Sequence, residues 1–147
     1  MPPLLKGPLA QLGYLGSYNN IYFGIYDFVC PVADIADILR IDGYRGISKG
    51  DLEPYRKDIV CETGSWEIKS PLGEEKDIED HIQWVLDLMV PKLDQLKLIY
   101  KQYGATAGLA ISTFNYNVVN PGIHLERELV EKINMLEASI DIDIYNL

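Results

Sequence analysis

Cysteine and histidine are scarce in this chain, which has two of each. Cys30 and Cys61 lie 31 positions apart, and His81 and His124 lie outside that interval, whereas zinc ligands usually come in close pairs. The spacing excludes a zinc site, and we expect neither a metal nor a cofactor. A single disulfide stays open, but a domain of this size does not need one, so we favour free, buried thiols.

Basic residues are also few, with 13 Lys and Arg against 22 Asp and Glu and a formal net charge of −9. A negative field repels nucleic-acid phosphates and anionic lipid headgroups, so we expect neither nucleic acid nor membrane as a partner. The acidity leaves two interpretations: it keeps the protein soluble, or it forms a surface for a basic partner.

Long apolar runs are missing as well. No stretch reaches the roughly 18 uninterrupted apolar residues of a membrane span, and we expect a cytoplasmic protein. Prolines and glycines interrupt the N-terminal segment before a signal-peptide core can form: Pro2, Pro3, Gly7, Pro8 and Gly13. They predict a flexible N-terminal arm over residues 1–17. The alternative is that this arm docks on a partner through four leucines: Leu4, Leu5, Leu9 and Leu12.

The remaining residues, 18–147, carry the signals of one folded domain, as expected for a chain of 147 residues. Aromatic or β-branched runs and strict alternation predict four strands. The predicted strands cover residues 20–30, 65–69, 106–116 and 139–145. We expect the first to be buried on both faces and the isoleucines of the last, at 140, 142 and 144, to point inward.

One face of the third predicted strand carries three small residues, Gly108, Ala110 and Ser112, followed by Phe114. Small side chains let another element approach closely, so this face predicts a helix packed against it.

Apolar residues that recur every three or four positions predict three helices. The first is a two-turn helix behind Pro31. The second covers residues 77–103 and is expected to kink near Val90, because Pro91 removes one backbone hydrogen bond. The third opens at 120–122, where the sequence reads Asn-Pro-Gly.

The connections between these elements mix hairpin-like and crossover types. Residues 44–61 are rich in turn formers and charges and predict loops. This order favours an α+β fold: a mixed or mainly antiparallel sheet with about three helices packed on one face, in a single domain.

Four short motifs occur in a characteristic order and spacing. They are Ser48-Lys49-Gly50, Gly64-Ser65-Trp66, the entry Ile78-Glu79-Asp80-His81-Ile82 to a helix that contains Pro91, and the closing Asp141-Ile142-Asp143-Ile144-Tyr145. Over about residues 20–146 the chain resembles a bacterial family known as domain of unknown function 4279. The resemblance implies a small, soluble α+β domain with no established activity and no catalytic residues to carry over.

A glycine-rich stretch and an acidic pair could carry chemistry. Gly43, Gly46 and Gly50 could cradle a phosphate, but their spacing matches neither a Walker loop nor a dinucleotide fingerprint, and a plain turn is favoured. Asp141 and Asp143 could flank a metal or a scissile bond, but no further ligand accompanies them. Solvated residues that protect a terminal strand from pairing are the favoured interpretation.

His81 and His124 could each act as a proton carrier or ligand. No nucleophile motif and no Cys-His pair is readable beside either one, so we predict no catalytic residue.

Aromatic residues give the strongest surface signal. Trp66 and Trp84 are expected to anchor the core, but ten tyrosines exceed what a small core can bury. Tyrosine is favoured at recognition surfaces because it combines a large area with a polar tip. Those that point to such a surface are Tyr14, Tyr18, Tyr22, Tyr26, Tyr44, Tyr55, Tyr116 and Tyr145.

These observations favour a non-enzymatic protein-binding domain, in the manner of small acidic inhibitors or immunity proteins, with a protein partner that could be basic and an oligomeric state left open. The alternative is a small-ligand or anion-binding regulatory domain with a cleft between the long helix and residues 43–60. The candidate binding residues are Tyr44, Arg45, Lys49, Tyr55, Arg56, Trp66 and His81. An enzyme is the least favoured class and would require His81, Asp141 and Asp143 to share a face.

Overall fold

Five strands and four α-helices are present in residues 16–117 and 122–147, which are the residues that the computed structural model describes. The strands are β1 (Gly16–Phe28), β2 (Arg45–Ile47), β3 (Gly64–Lys69), β4 (Thr106–Tyr116) and β5 (Ala138–Asn146). The helices are α1 (Val32–Leu39), α2 (Ile78–Met89), α3 (Leu93–Tyr103) and α4 (Arg127–Met135). The predicted arm falls outside the described residues apart from its last two positions.

The five strands form one sheet in the order β2-β3-β1-β4-β5. Every neighbouring pair is antiparallel except β4 and β5, which run parallel with Ala107 opposite Ala138 and Asn115 opposite Asn146. A parallel pair needs a crossover connection, and α4 lies in that connection. The predicted α+β fold with a mixed, mainly antiparallel sheet is confirmed.

The helices pack on one face of this sheet, which we call the inner face. Their buried residues form a single core cluster with inward-pointing strand residues, so that Ile82 and Leu96 of the helices join Phe23, Trp66 and Leu109 of the strands. If α2 and α3 are counted as one interrupted helix, the described residues contain the three predicted helical units on one face.

The alternation of β1 sets the two faces of the sheet. Ile21, Phe23 and Ile25 are buried on the inner face, while their even-numbered neighbours lie on the opposite, outer face. The pairing with β3 skips Asp27, whose φ is 65°. This β-bulge re-aims Phe28, whose ring is fully buried although simple alternation would place it outside.

The predicted break at Pro91 is confirmed. Helix α2 ends at Met89, a 3₁₀ turn spans Val90–Lys92, and α3 begins at Leu93. Helix α3 then ends at Gly104, whose φ of 63° and N–H bond to the Tyr100 carbonyl, 3.1 Å long, form a left-handed cap.

The largest differences from the predicted elements are the start of β1, the start of α4 and the presence of β2. Strand β1 begins at Gly16 and not at position 20, because its first residues pair with the end of β4, Gly16 opposite Tyr116. Helix α4 begins at Arg127 and not at 120–122, of which 120 and 121 lie outside the described residues. The region predicted as loops contains β2, which is held by pairing of Gly46 with Trp66.

The expected packing around β1 and β4 is wrong in two respects. The small residues of β4 face outward, where the Tyr26 ring and not a helix lies over Gly108. Since no described helix lies on the outer face of the sheet, β1 is covered by helices on its inner face only and is not buried on both faces. The β5 isoleucines point to the inner face as expected, although Ile140, Ile142 and Ile144 remain 38%, 41% and 53% exposed.

Candidate functional site

The inner face of the sheet becomes polar at one end. Asn19 of β1 and Thr113 and Asn115 of β4 occupy inner positions that apolar residues hold further along the strands, and all three are buried. They line a cavity of about 420 Å³, which the start of α2 and residues 122–124 complete. A cavity of this size with a few buried polar groups is the usual form of a small-molecule site.

Hydrogen bonds across three strands hold the polar side chains in place. The Oδ1 atom of Asn115 accepts from Ser17 Oγ at 2.6 Å and from Thr113 Oγ1 at 3.3 Å, and its Nδ2 donates to Asn146 Oδ1 at 3.1 Å. Asn19 Nδ2 donates to the Lys76 carbonyl at 2.9 Å. The buried Oδ1 of Asn19 has no hydrogen-bond partner among the described residues, so a ligand that donates a hydrogen bond there would relieve an unfavourable burial.

The rim of the cavity is acidic. Asp77 and Glu79 line it together with His124, whose Nε2 lies 3.1 Å from Oε1 of Glu126. One possible ligand atom from each of Glu79, His124 and Glu126 lies within 4.8 Å of the others. Two carboxylates and an imidazole suit a divalent transition-metal ion, so this trio could hold such a cation at the mouth of the cavity.

The sequence analysis missed this cavity, although part of its signal was present. Asn19, Thr113 and Asn115 continue the alternation of buried residues in β1 and β4, and a polar residue in phase with an apolar stripe indicates a buried polar group. The rim gave no signal, because Glu79 and His124 lie on different elements and are distant in sequence.

Four of the seven predicted binding residues come together near the β2 edge of the sheet. Tyr44 stacks on Trp66 with ring centroids 5.8 Å apart and 20° between planes, and the guanidinium carbon of Arg45 lies 5.9 Å from the centre of the Tyr55 ring. Tyr55 is 89% exposed, whereas Trp66 is fully buried. Trp66 is therefore the expected core anchor, and its side chain does not reach a surface partner.

Lys49 and Arg56 are exposed on the loops that follow β2. In the turn that contains Lys49, the Ser48 N–H donates to Oδ2 of Asp51 at 2.8 Å, and the Asp51 N–H donates to the Ser48 carbonyl at 3.1 Å. The carboxylate of Asp51 thus accepts the hydrogen bond of the Ser48 N–H, which a bound phosphate would need as a donor. This geometry supports the plain turn over the phosphate cradle.

His81 lies apart from the other predicted residues. It is buried on α2, and its Nδ1 is 2.8 Å from the hydroxyl of Ser70, just beyond β3. Burial lowers the pKa of His81, with the Gly73 backbone offsetting part of the effect. Asp141 and Asp143 lie on the outer face of β5, so the sheet separates them from His81.

Residues 17–147 match the family described as Domain of unknown function (DUF4279). The chain belongs to this family. No curated protein and no solved structure matches it. The resemblance that the motifs indicated is confirmed for the DUF4279 domain, and the family description assigns it no activity. No helix within 16–117 and 122–147 combines the length and the apolarity that a membrane crossing requires.

The outer face of the DUF4279 sheet is lined with aromatic rings. Tyr18 and Tyr116 meet edge to face with centroids 5.6 Å apart, and Phe114 stacks on Tyr145 at 4.7 Å with 8° between planes. Tyr22 and Tyr26 extend the row along β1. We call these residues the tyrosine face: Tyr18, Tyr22, Tyr26, Phe114, Tyr116 and Tyr145.

Charged groups surround the tyrosine face of the DUF4279 domain. The hydroxyl of Tyr26 donates to Oε2 of Glu67 at 3.4 Å, and Lys69 Nζ lies 5.7 Å from the centre of the Tyr22 ring. Burial, followed by the charges of Glu67 and Asp141, raises the pKa of Tyr26. Asp141 and Asp143 give the aromatic face an acidic border along β5, while Glu67 lies on the other side of β1, on β3.

Proposed function

We propose that this DUF4279 domain binds another protein through its tyrosine face and the acidic border along β5. The observation that carries the proposal is the row of aromatic side chains on a sheet face that no described helix covers; all of them except the buried Tyr18 are at least partly exposed. Aromatic side chains dominate the energetics of protein interfaces, because they bury a large area while losing little conformational freedom.

The charge of the domain indicates the kind of partner. The formal net charge is −9, and within the described residues the only ion-pair contacts to carboxylates are Arg127 with Glu131 and, when His124 is protonated, His124 with Glu126. Unpaired carboxylates beside an aromatic surface favour a basic protein, which they would attract and orient. An inhibitor or immunity-type role against a basic protein, in the cytoplasm where the free Cys30 and Cys61 would stay reduced, fits this chemistry.

Affinity capture from a bacterium that encodes the chain tests the proposal. The informative variant replaces both Asp141 and Asp143 by lysine at the acidic border. The matched control makes the same charge change on α1, replacing the exposed Asp34 and Asp37 by lysine. We expect the β5 variant to lose at least about tenfold in affinity for the captured partner and the control to lose much less.

Equal loss in both variants would show that only net charge matters and would contradict a defined binding surface. Recovery of no partner, with the domain monomeric and unchanged by the substitutions, would also count against protein binding.

The polar cavity supports a second candidate function, the binding of a small cationic or hydrogen-bond-donating ligand. Its volume of about 420 Å³, its buried Asn19 acceptor and its acidic rim favour that ligand class over the anion considered from the sequence. Thermal unfolding with a panel of small amines and divalent cations tests it, since ligands that bind the native state raise the melting temperature.

Thr113→Val and His124→Ala separate the two parts of the cavity. Thr113→Val removes an inner hydroxyl while keeping the shape of the side chain, and should weaken an organic ligand. His124→Ala removes a possible metal ligand at the mouth and should weaken a divalent cation. A shift that survives both variants would place the ligand elsewhere.

A further inference from the structure

Strand β5 is an edge strand of unusual exposure. It is nine residues long and lies at the end of the strand order, so within the described residues one of its sides pairs with β4 and the other pairs with nothing. All its residues except Ala138 are exposed. A long exposed edge presents unpaired backbone groups that can accept a further strand.

The pairing with β4 shows which backbone groups are free. The N–H of Leu147 donates to the Asn115 carbonyl at 2.8 Å, and the Leu147 carbonyl accepts from the Asn117 N–H at 3.3 Å, so Leu147 turns both groups toward β4. The register stays constant from Ala138 to Asn146. Because successive residues of a strand point their backbone groups to opposite sides, Ile140, Ile142 and Ile144 direct theirs to the free edge.

The same alternation gives this edge two chemically different sides. Ile140, Ile142 and Ile144 lie exposed on the inner face, and Asp141 and Asp143 lie exposed on the outer face. A strand added here would meet isoleucines on one side and carboxylates on the other.

A second copy of this chain fits the edge poorly in the registers that pair most of β5. Antiparallel pairing of two β5 strands about Ile142 would put Asp141 opposite Asp143 of the other copy, twice. Centring the pairing on either aspartate would put that aspartate opposite itself. Like charges directly opposite one another destabilise a strand pair, so these carboxylates favour a partner of the opposite charge.

We propose that β5 accepts an extended segment of a partner protein in which apolar residues alternate with lysine or arginine. The apolar residues would cover Ile140, Ile142 and Ile144, the basic residues would pair with Asp141 and Asp143, and the backbone would complete the free edge. This inference rests on the proposed protein-binding function and adds the chemistry and conformation of the partner segment.

Binding of synthetic peptides to the full chain tests the proposal. The probe is a nine-residue peptide of alternating lysine and valine, and its control has the same composition in an order that destroys the alternation. We expect the alternating peptide to bind at least about tenfold more tightly in calorimetry. Equal affinity would overturn the proposal, because charge attraction alone would then explain binding.

Two variants of β5 distinguish backbone pairing from side-chain contact. Ile142→Ala shortens the side chain and keeps the N–H, whereas Ile142→Pro also removes an N–H that faces the free edge and not β4. We expect the proline variant to lose at least about tenfold more affinity than the alanine variant. If the proline variant does not fold, a peptide N-methylated at the residues that face β5 removes the same bonds from the other side, and undiminished binding of that peptide would overturn the proposal.

Other occupants of the edge give different results. A dimer that Ile142→Pro converts to a monomer would place a second copy on β5 and overturn the proposal. A captured natural partner that binds Ile142→Pro at full strength would refute strand addition while leaving the proposed protein-binding function intact. If the captured partner is lost only when residues of the tyrosine face are substituted, strand addition at β5 would likewise be refuted and the proposed protein-binding function would remain.

Discussion

The phenol ring of Tyr26 lies over Gly24, two residues earlier in β1, and fills the space that a Cβ on the glycine would occupy. The ring also lies across the neighbouring strand, where its Cε2 atom is 3.6 Å from the Cβ position of Gly108. Because neither glycine has a Cβ, the two positions together leave room on the outer face for the Tyr26 ring. This explains why small residues line a surface that no described helix touches.

Replacement of Gly24 by alanine should displace the Tyr26 ring from its position over the two glycines. We expect a loss of about 1 kcal/mol in unfolding free energy, at the low end for overpacking, because the ring can turn toward solvent. The displaced phenol should also titrate closer to its ordinary pKa of 10.0, since burial raises the pKa of Tyr26 in the native protein. Ultraviolet titration against Tyr26→Phe measures this. In a Tyr26→Ala background the same alanine should cost almost nothing, and a persistent cost would contradict the explanation.

Replacement of Gly64 by alanine should be more harmful. A Cβ there would overlap the ring of Phe28, its partner across β1 and β3, and would lie 2.9 Å from the Ile47 carbonyl oxygen. The Phe28 ring is fully buried and has no solvent to turn toward. We expect a loss of about 2–3 kcal/mol in urea unfolding. A loss no larger than that of Gly24→Ala would show that the core around Phe28 yields more than its burial implies.

Stability should decrease in mild acid because of His81. Burial lowers the pKa of His81 below its ordinary 6.5, so the unfolded chain takes up a proton at a higher pH than the folded one. The stabilising contribution of the neutral ring is therefore complete above about pH 6.5 and is lost as the pH falls from there toward the folded pKa. We expect a loss of up to about 1 kcal/mol between pH 7.5 and 5.5.

His81→Gln, which keeps a polar partner for Ser70, should flatten this pH dependence in thermal unfolding. An unchanged slope would assign the effect to other groups.

The hydrogen bonds of Asn115 should be worth measurable stability. Asn115→Ala removes bonds to Ser17, Thr113 and Asn146 that join β1, β4 and β5 at one end. We expect a loss of about 1–3 kcal/mol in unfolding free energy, as for a few buried hydrogen bonds. Asn134→Ala on the exposed side of α4 is the control and should change stability by less than about 0.5 kcal/mol. Equal effects would mean that the network carries no stability.

Much of the fold was predictable because its signals are local. The alternation in β4 fixed both ends of that strand, 106–116, and Pro91 marked the interruption between α2 and α3. The start of β1 was not predictable in the same way, since residues 16–19 join the strand only through pairing with the distant end of β4. The inward orientation of Phe28 was equally unpredictable, because the bulge at Asp27 depends on the register with β3.

The site was less predictable than the fold. Tyr44 and Trp66 do meet, since both lie near the β2 edge. However, Trp66 is buried in the core, and His81 is buried beside Ser70, so neither side chain lies on a binding surface. Strand alternation predicted the outward placement of Tyr145 but not that of Tyr22 and Tyr26, because β1 was expected to be buried on both faces. The cavity and its rim depend on how the segment 122–126 lies against α2, and no local pattern specifies a contact between segments so far apart in sequence.

Two connections each contain one residue other than glycine in the left-handed backbone conformation. Arg40 ends α1 with a φ of 54°, and Glu137, between α4 and β5, has a φ of 56°. Side chains branched at Cβ are strongly disfavoured in that conformation, whereas glycine, asparagine and aspartate adopt it readily. Among other members of the family, the columns aligned with these positions should therefore admit those three residues and exclude valine, isoleucine and threonine. That pattern offers a check on any alignment of the family that is built from sequence alone.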